Sequence, residues 1–257
     1  KYQITDVLIF PVVLRVLATL KKLTPYKKEI VIWLGGDAIT EDDFVIAKRI
    51  FPNATFFNCY AMTEVPRISC LNVNEHPKKL GSVGTPSNGL KIKIKKIAGS
   101  TAGEIFVKGS SVMLGYLGKK EFSKNWFATG DLGYLDSENF LYLTGRKKNL
   151  IKYNGHSIFP ELVEKIILQV KGLSQCVVVG CDHPISGQYP VAVVVSKDNM
   201  QTEKSIKLFC KGKIKDIEIP KRIIFFKCLP ASTTGKILRK KTSEMVHEYM
   251  SKEKVSQ

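Results

Sequence analysis

Four short constellations in this sequence hold side chains suited to an anionic substrate. STTGK at 232–236 ends a Ser/Thr/Gly loop in Lys236, whose ammonium can meet a phosphate or a carboxylate. The GxxxxGK[ST] pattern of a phosphate-binding P-loop is absent from it. Thr129-Gly130-Asp131 sets a carboxylate at a turn, able to accept two hydroxyl hydrogen bonds as a ribose requires, or to cap its own turn. Tyr60-Ala61-Met62-Thr63-Glu64 brings together an aromatic face for a base, a hydroxyl for a phosphate oxygen and a carboxylate for Mg²⁺. Tyr60 equally suits a core. Gly145-Arg146 places a guanidinium beside a flexible residue, for ribose, phosphate or a surface ion pair.

The elements around these residues follow from hydrophobic period and turn signals. Val7, Phe10, Val13, Leu14, Leu17 and Leu20 fall near one helical face, predicting a helix over 7–22 with Pro11 in its first turn. EIVIWL reads as a strand ending in Gly35-Gly36, with a helix opening at Thr40 behind three acids. ATFFNCYAMTE reads as a short strand and then a polar loop. LKIKIKKI at 90–97 alternates strictly, and with EIFVKG and the hairpin across Asp136–Asn139 it predicts a β-rich subdomain at about 85–143. Beyond Gly145, a helix after Pro160, two apolar strands, a basic helix and a last strand predict a compact α+β domain. The stretch 126–160 is therefore the junction, dividing the chain into 1–147 and 148–257.

Composition narrows the function classes. The 257 residues are 44% hydrophobic with a formal net charge of +17, enough for packed cores and biased towards polyanionic or phosphorylated partners. The charge admits peripheral contact with an anionic membrane. Lysines are dispersed rather than gathered in one arm, and no nucleic-acid motif is present, so no specific nucleic acid is expected. Residues 7–20 are too short and too interrupted to span a bilayer. The six cysteines lack zinc-site spacing and several lie in apolar runs, predicting reduced, buried thiols and a cytoplasmic setting. The start at Lys1, without Met, predicts a piece of a longer chain.

Taken in order, LGGDAIT (34–40), NCYAMTE (58–64), GSVGTP (81–86), GEIFVKGSSVMLGY (103–116), WFATGDLGYLDSENFLYLTGR (126–146), KNLIKYNGHSIFPELVE (148–164) and LPASTTGKILRKK (229–241) resemble the motifs of the adenylate-forming superfamily. The resemblance covers nearly the whole chain. It implies the end of a large α/β AMP-binding domain with its β-rich subdomain, then a small mobile α+β domain. It also implies ATP/AMP, Mg²⁺ and CoA as cofactors and a fatty or aryl carboxylic acid as substrate. Gly35 and Gly36 would line the acyl and adenine pocket, with Asn58 in the cofactor-binding set. Tyr60 would stack on adenine, Thr63 would bond the α-phosphate and Glu64 would help hold Mg²⁺. Asp131 would hold the ribose hydroxyls with Arg146 in support. Lys148 would be the hinge, Gly155 would line the thiol tunnel, and Lys236 would be the catalytic lysine of adenylation.

Two departures stand out. Ala61 occupies a position where the family has Gly, and no Ser/Thr/Gly-rich triphosphate loop lies between Lys1 and Leu34. A chain beginning late in the large domain, missing the N-terminal half of the enzyme, should show negligible adenylation by itself. The Ile-Leu-Arg after Lys236 and the Pro160 motif favour an acyl-CoA ligase over an enzyme loading a carrier protein. A non-catalytic or partner-dependent half-enzyme is the alternative from a different class.

Overall fold

The computed structural model describes residues 3–20, 22–36, 39–98, 100–119, 125–198, 200–232 and 236–255. Residues 233–235 of the STTGK loop, Gly99 of the turn at 99–103 and residues 37–38 of LGGDAIT lie outside these. The chain divides into two compact units, Lys1–Lys96 with Thr101–Leu143, and Ile97–Ser100 with Thr144–Gln257.

The first unit begins with a βαβαβ run. β1 (Asp6–Ile9), α1 (Pro11–Ala18), β2 (Ile30–Leu34), α2 (Glu41–Ile50) and β3 (Ala54–Met62) put three parallel strands side by side. β4 (Val65–Asn72) and the two-residue β5 (Thr85–Pro86) extend the sheet antiparallel, in the order β1-β2-β3-β4-β5. Leu14, Ile32, Leu34, Ala47 and Phe56 are wholly buried between sheet and helices. At α2 the Thr40 hydroxyl accepts from the Asp43 amide, and the Asp43 carboxylate accepts from the Thr40 amide. The Arg15 guanidinium forks onto the same carboxylate with two 2.7 Å bonds, tying α1 to α2.

Three sequence expectations change here. The single helix over 7–22 is a strand and a helix, because Pro11 favours a helix start and the preceding residues pair with β2. The polar loop after ATFFNCY is a hairpin turning at Thr63-Glu64, followed by β4, which the sequence reading missed. β4 buries Val65, Ile68, Ser69 and Leu71, so its pattern is not the strict alternation that marks a strand. Cys59 and Cys70 are direct cross-strand partners, 4.3 Å apart at Cα, and are joined as a disulfide. The expectation of six reduced, buried thiols therefore fails for this pair, and for Cys228, which is exposed.

The second sheet of this unit runs β6 (Leu90–Lys96), β7 (Gly103–Gly109), β8 (Phe127–Leu135) and β9 (Leu141–Arg146), in that order. Leu90, Ile92 and Ile94 face inward on β6 while Lys91, Lys93 and Lys95 are exposed, as the alternation requires. Between β8 and β9 the Asp136 carboxylate accepts the Glu138 and Phe140 amides at 3.0 and 2.9 Å. β9 runs out of the first unit, which ends at Leu143.

The second unit holds β10 (Ile151–Tyr153), β11 (His156–Ile158), α3 (Pro160–Ile167), β12 (Leu173–His183), β13 (Gly187–Ser196), α4 (Glu203–Cys210), β14 (Arg222–Phe225) and α5 (Arg239–Val255). β13 carries antiparallel β12 along one edge and, on the other, β10 at Gly187 and parallel β14 at Val191–Val194. Alternate residues of β12 and β13 enter two cores. Val178, Ala192 and Val194 meet residues of α3 and α4, while Val177, Val179, Val191 and Val193 meet Leu229 and Val246. Burial on both faces is why these strands are apolar throughout. Among the described residues no helix is long and apolar enough to cross a membrane.

Candidate functional site

The expected site residues fall in both units. Gly35, Gly36, Asn58, Tyr60, Thr63, Glu64 and Asp131 lie in the first, and Arg146, Lys148, Gly155 and Lys236 in the second.

In the first unit, β2 ends at buried Gly35 and exposed Gly36. Gly36 adopts φ +84°, and a Cβ there would fall 2.5 Å from the Phe10 ring, so only glycine fits without displacing that side chain. On β3, Asn58 and Tyr60 share a face by the two-residue period. Asn58 is buried and its amide donates to the Ser82 carbonyl at 2.8 Å. Tyr60 is buried in the core with Val65, Ile68 and Val107, and its hydroxyl donates to Asp131 Oδ2 at 2.6 Å. The ring of Tyr60 is core, and its hydroxyl faces the candidate ribose carboxylate.

Asp131 reaches that position through a bulge. Between the pairs Glu104↔Leu132 and Phe106↔Ala128 the β7–β8 register shifts, and Thr129-Gly130-Asp131 leaves the ladder. Gly130 takes φ +73°, the Thr129 hydroxyl donates to the Ile105 carbonyl at 2.9 Å, and the Asp131 amide donates to the Thr129 hydroxyl at 3.1 Å. The threonine holds the bulge shut on itself, and the carboxylate is delivered to Tyr60.

Thr63 is exposed at the β3–β4 turn and Glu64 is half-buried beside it. Glu64 Oε1 accepts the Tyr116 hydroxyl at 2.7 Å, and this bond raises the Tyr116 phenol above its ordinary value. One carboxylate fits Mg²⁺ where substrate phosphates and water complete the coordination. An open cleft of about 580 Å³ in this unit is lined by Pro66, Arg67, Thr85, Pro86, Ser87 and Asn88, not by Tyr60 or Asp131. The arrangement of polar groups, rather than the volume of that cleft, marks the candidate site.

In the second unit, Arg146 ends β9 and Lys148 is exposed in the 3₁₀ turn Lys147–Asn149. Gly155 sits with Asn154 at the tip of the β10–β11 hairpin, where φ values of +48° and +76° fit a type I′ turn. The Asn-Gly pair announces this hairpin in the sequence, though the sequence reading stopped at the glycine. Lys236 is exposed and closes a narrow loop. The Ser232 amide donates to the Lys236 carbonyl at 2.8 Å, the Lys236 amide donates to the Ser232 hydroxyl at 3.1 Å, and Ala231 bridges Ile237.

Behind the loop stands a residue pair that sequence reasoning missed. Arg239 forks onto Glu164 of α3 at 2.6 and 2.8 Å and also donates to the Val178 carbonyl at 2.7 Å. Glu164 accepts the Val178 amide at 2.6 Å. Burial raises the Glu164 carboxyl above its ordinary value, against the pull of Arg239. A glutamate on a helix and an arginine three residues past a loop lysine carry no joint sequence signal, since 75 positions separate them.

A family model described as AMP-binding enzyme matches residues 1–117, and one described as AMP-binding enzyme C-terminal domain matches residues 162–236. The chain is 35% identical over 202 residues to a 2-succinylbenzoate–CoA ligase of Bacillus cereus, a match covering 75% of this chain and 42% of that protein. It superposes on the o-succinylbenzoate CoA synthetase of Bacillus subtilis in complex with an acyl-adenylate intermediate, at TM-score 0.77 and 29% identity. That match covers 92% of this chain and 50% of the synthetase. The same synthetase in complex with ATP and a magnesium ion gives TM-score 0.76 at 29% identity, again covering 92% and 50%. The chain thus spans half, or less, of the length of these relatives.

Proposed function

The chain belongs to the AMP-binding enzyme family, and from that premise we propose that it is the C-terminal half of an acid–thiol ligase of the acyl-CoA ligase type. The observation that carries this reading is the bond from Tyr60 to Asp131. Two residues 71 positions apart, each expected to hold the nucleotide, meet through a 2.6 Å hydrogen bond. Asp131 accepts the ribose hydroxyls, its orientation set by Tyr60 and by the bulge around Gly130. Tyr60 presents whatever part of its ring the adenine reaches, with Gly35, Gly36 and Asn58 behind it. Thr63 donates to the α-phosphate. Glu64 would hold Mg²⁺, which when bound screens the phosphate charge.

The reaction is written in two steps. A carboxylate oxygen of the acid bonds to the α-phosphorus of ATP and the bond to pyrophosphate breaks, leaving acyl-AMP. The CoA thiol, losing its proton, then bonds to the acyl carbonyl carbon and AMP departs. Both partners of the first step are anions, so the exposed ammonium of Lys236 serves it by lying between them. The Lys147–Asn149 turn, with Arg146 and Lys148, is the hinge about which the domain from 148 onward moves between the steps. Gly155, at the hairpin tip with none of the described residues within 4 Å of a Cβ, leaves room for the thiol.

The acid is proposed only as a carboxylic acid; 2-succinylbenzoate is the acid named by the relatives. The N-terminal half would bring the triphosphate grip and much of the acyl pocket. An exposed apolar row at Leu8, Phe10, Val13, Val16 and Leu20, each at least 43% accessible, supports such a half seating against the first unit. In the whole protein, Lys236→Ala is expected to cut acyl-AMP formation, read by ATP–pyrophosphate exchange, by roughly 10²–10³-fold. Thioester formation from supplied acyl-AMP should be spared. Equal loss in both half-reactions would overturn the role given to Lys236.

A further inference from the structure

One network in the second unit reaches from the lysine loop to the hinge turn. Arg239 stands three residues past Lys236, and the loop that carries Lys236 is closed by the Ala231–Ile237 bridge and by the Leu238 amide on the Pro230 carbonyl at 2.8 Å. Arg239 is locked to Glu164 by its two-point fork, and its Nη2 lies 3.7 Å from Glu161 Oε1. The same Glu161 oxygen accepts the Asn149 side-chain amide at 2.6 Å. Asn149 is the last residue of the Lys147–Asn149 turn. Glu161 Oε2, buried, lies against Gly145, where φ is +142° and any Cβ would collide with that oxygen. One carboxylate therefore touches the chain on both sides of Lys148 and faces the guanidinium that anchors the lysine loop.

We propose that Glu161 is a positioning residue that joins the hinge turn to the Lys236 loop through Asn149 and Arg239, so that the place of the loop is set relative to the turn. The inference rests on the function proposed for Lys236 and Lys148. Its physical basis is that an exposed loop lysine holds its place when the loop's root is fixed. Here the root is fixed by a planar, two-point guanidinium contact rather than by the lysine itself. Glu161 adds the link to the turn about which the domain swings, so the lysine's position is set relative to the pivot.

Glu161→Ala removes the middle of this link and Asn149→Ala its end at the turn, and both leave the Glu164–Arg239 fork in place, so the unit should stay folded. Hydrogen exchange on the 257-residue chain should rise about three- to tenfold, the range of one lost hydrogen bond. The rise should appear together at the Leu150 amide of the turn and at the Ser232 and Leu238 amides of the loop. The double variant should add little to either single one, and Glu161→Gln, which keeps the acceptor for Asn149, should recover most of the protection at Leu150. In the whole protein, Glu161→Ala should lower the turnover of acyl-AMP formation about tenfold with the KM for ATP unchanged, and spare thioester formation. Faster exchange at the turn with the loop unaffected, or additive singles, would overturn the coupling. If Lys236→Ala retains adenylation, the proposed function fails instead, and the exchange measurement still decides the coupling.

Discussion

Asp131 and Tyr60 are 6% and 7% exposed, packed in the first unit and bonded to one another. Lys236 is exposed at the foot of a loop in the second unit, fixed by backbone bonds and by Arg239 behind it. In the first region the groups proposed to bind the nucleotide are also part of what holds the fold. In the second, the proposed catalytic group and the groups that hold its loop are different residues. A substitution should therefore change stability and function together in one place and separately in the other.

The sharpest way to break that contrast is at Asp131. Asp131→Ala removes the acceptor of a buried hydroxyl and should lower unfolding free energy by about 1–3 kcal/mol in urea titrations, while also abolishing AMP binding. Tyr60→Phe removes one partner and keeps the ring, so a smaller loss of about 0.5–1.5 kcal/mol is expected with weakened AMP binding. If either variant loses binding with full stability, the two roles are separable in the first unit after all.

Acid should reach the first unit through a neighbouring pair. Burial alone would raise the Asp43 carboxyl, but the Arg15 guanidinium and the Thr40 amide and hydroxyl overcome it and hold the carboxyl below the ordinary 3.8. A folded value below the unfolded one means that the stabilisation is complete above about pH 4 and lost as pH falls through the depressed value. Wild type should thus be more stable than Asp43→Asn at neutral pH, and the gap between their unfolding midpoints should close in acid. A gap that persists unchanged in acid would show that the ionised pair is not its source.

The smallest expected effect lies at the other end of the comparison. Lys236→Ala should leave the stability of the chain within about 0.5 kcal/mol of wild type, because an exposed side chain is being removed. A thiol count gives an independent check on the fold of the second unit. Cys228 should react promptly with an aromatic disulfide reagent, while Cys181, whose thiol burial pushes up to about 11, should react only on unfolding.

Local chemistry made much of the fold legible. The capping box opening at Thr40 and the Asp136 turn follow from contacts a few residues long, and the alternation in LKIKIKK and the apolar runs of β12 and β13 show burial on one face or on both. The candidate residues were likewise visible as types in short motifs, and the order of those motifs along the chain pointed to the family. Where the sequence reading went wrong, the deciding contact was distant or the pattern was irregular. Val7–Ile9 became a strand because β2 lies beside it, and β4 was hidden by a burial pattern that does not alternate.

What the sequence by itself determined is therefore most of the elements, much of the turn chemistry between them and the inventory of groups able to bind a nucleotide. Only the tertiary structure decided which of those groups meet. Tyr60 finds Asp131 because a bulge in β8 re-aims one carboxylate, Cys59 finds Cys70 because register sets them opposite, and Arg239 finds Glu164 because α3 and the start of α5 both pack on β12. Register, bulges and helix packing are settled by burial summed over many residues, and no window of a few residues carries that sum.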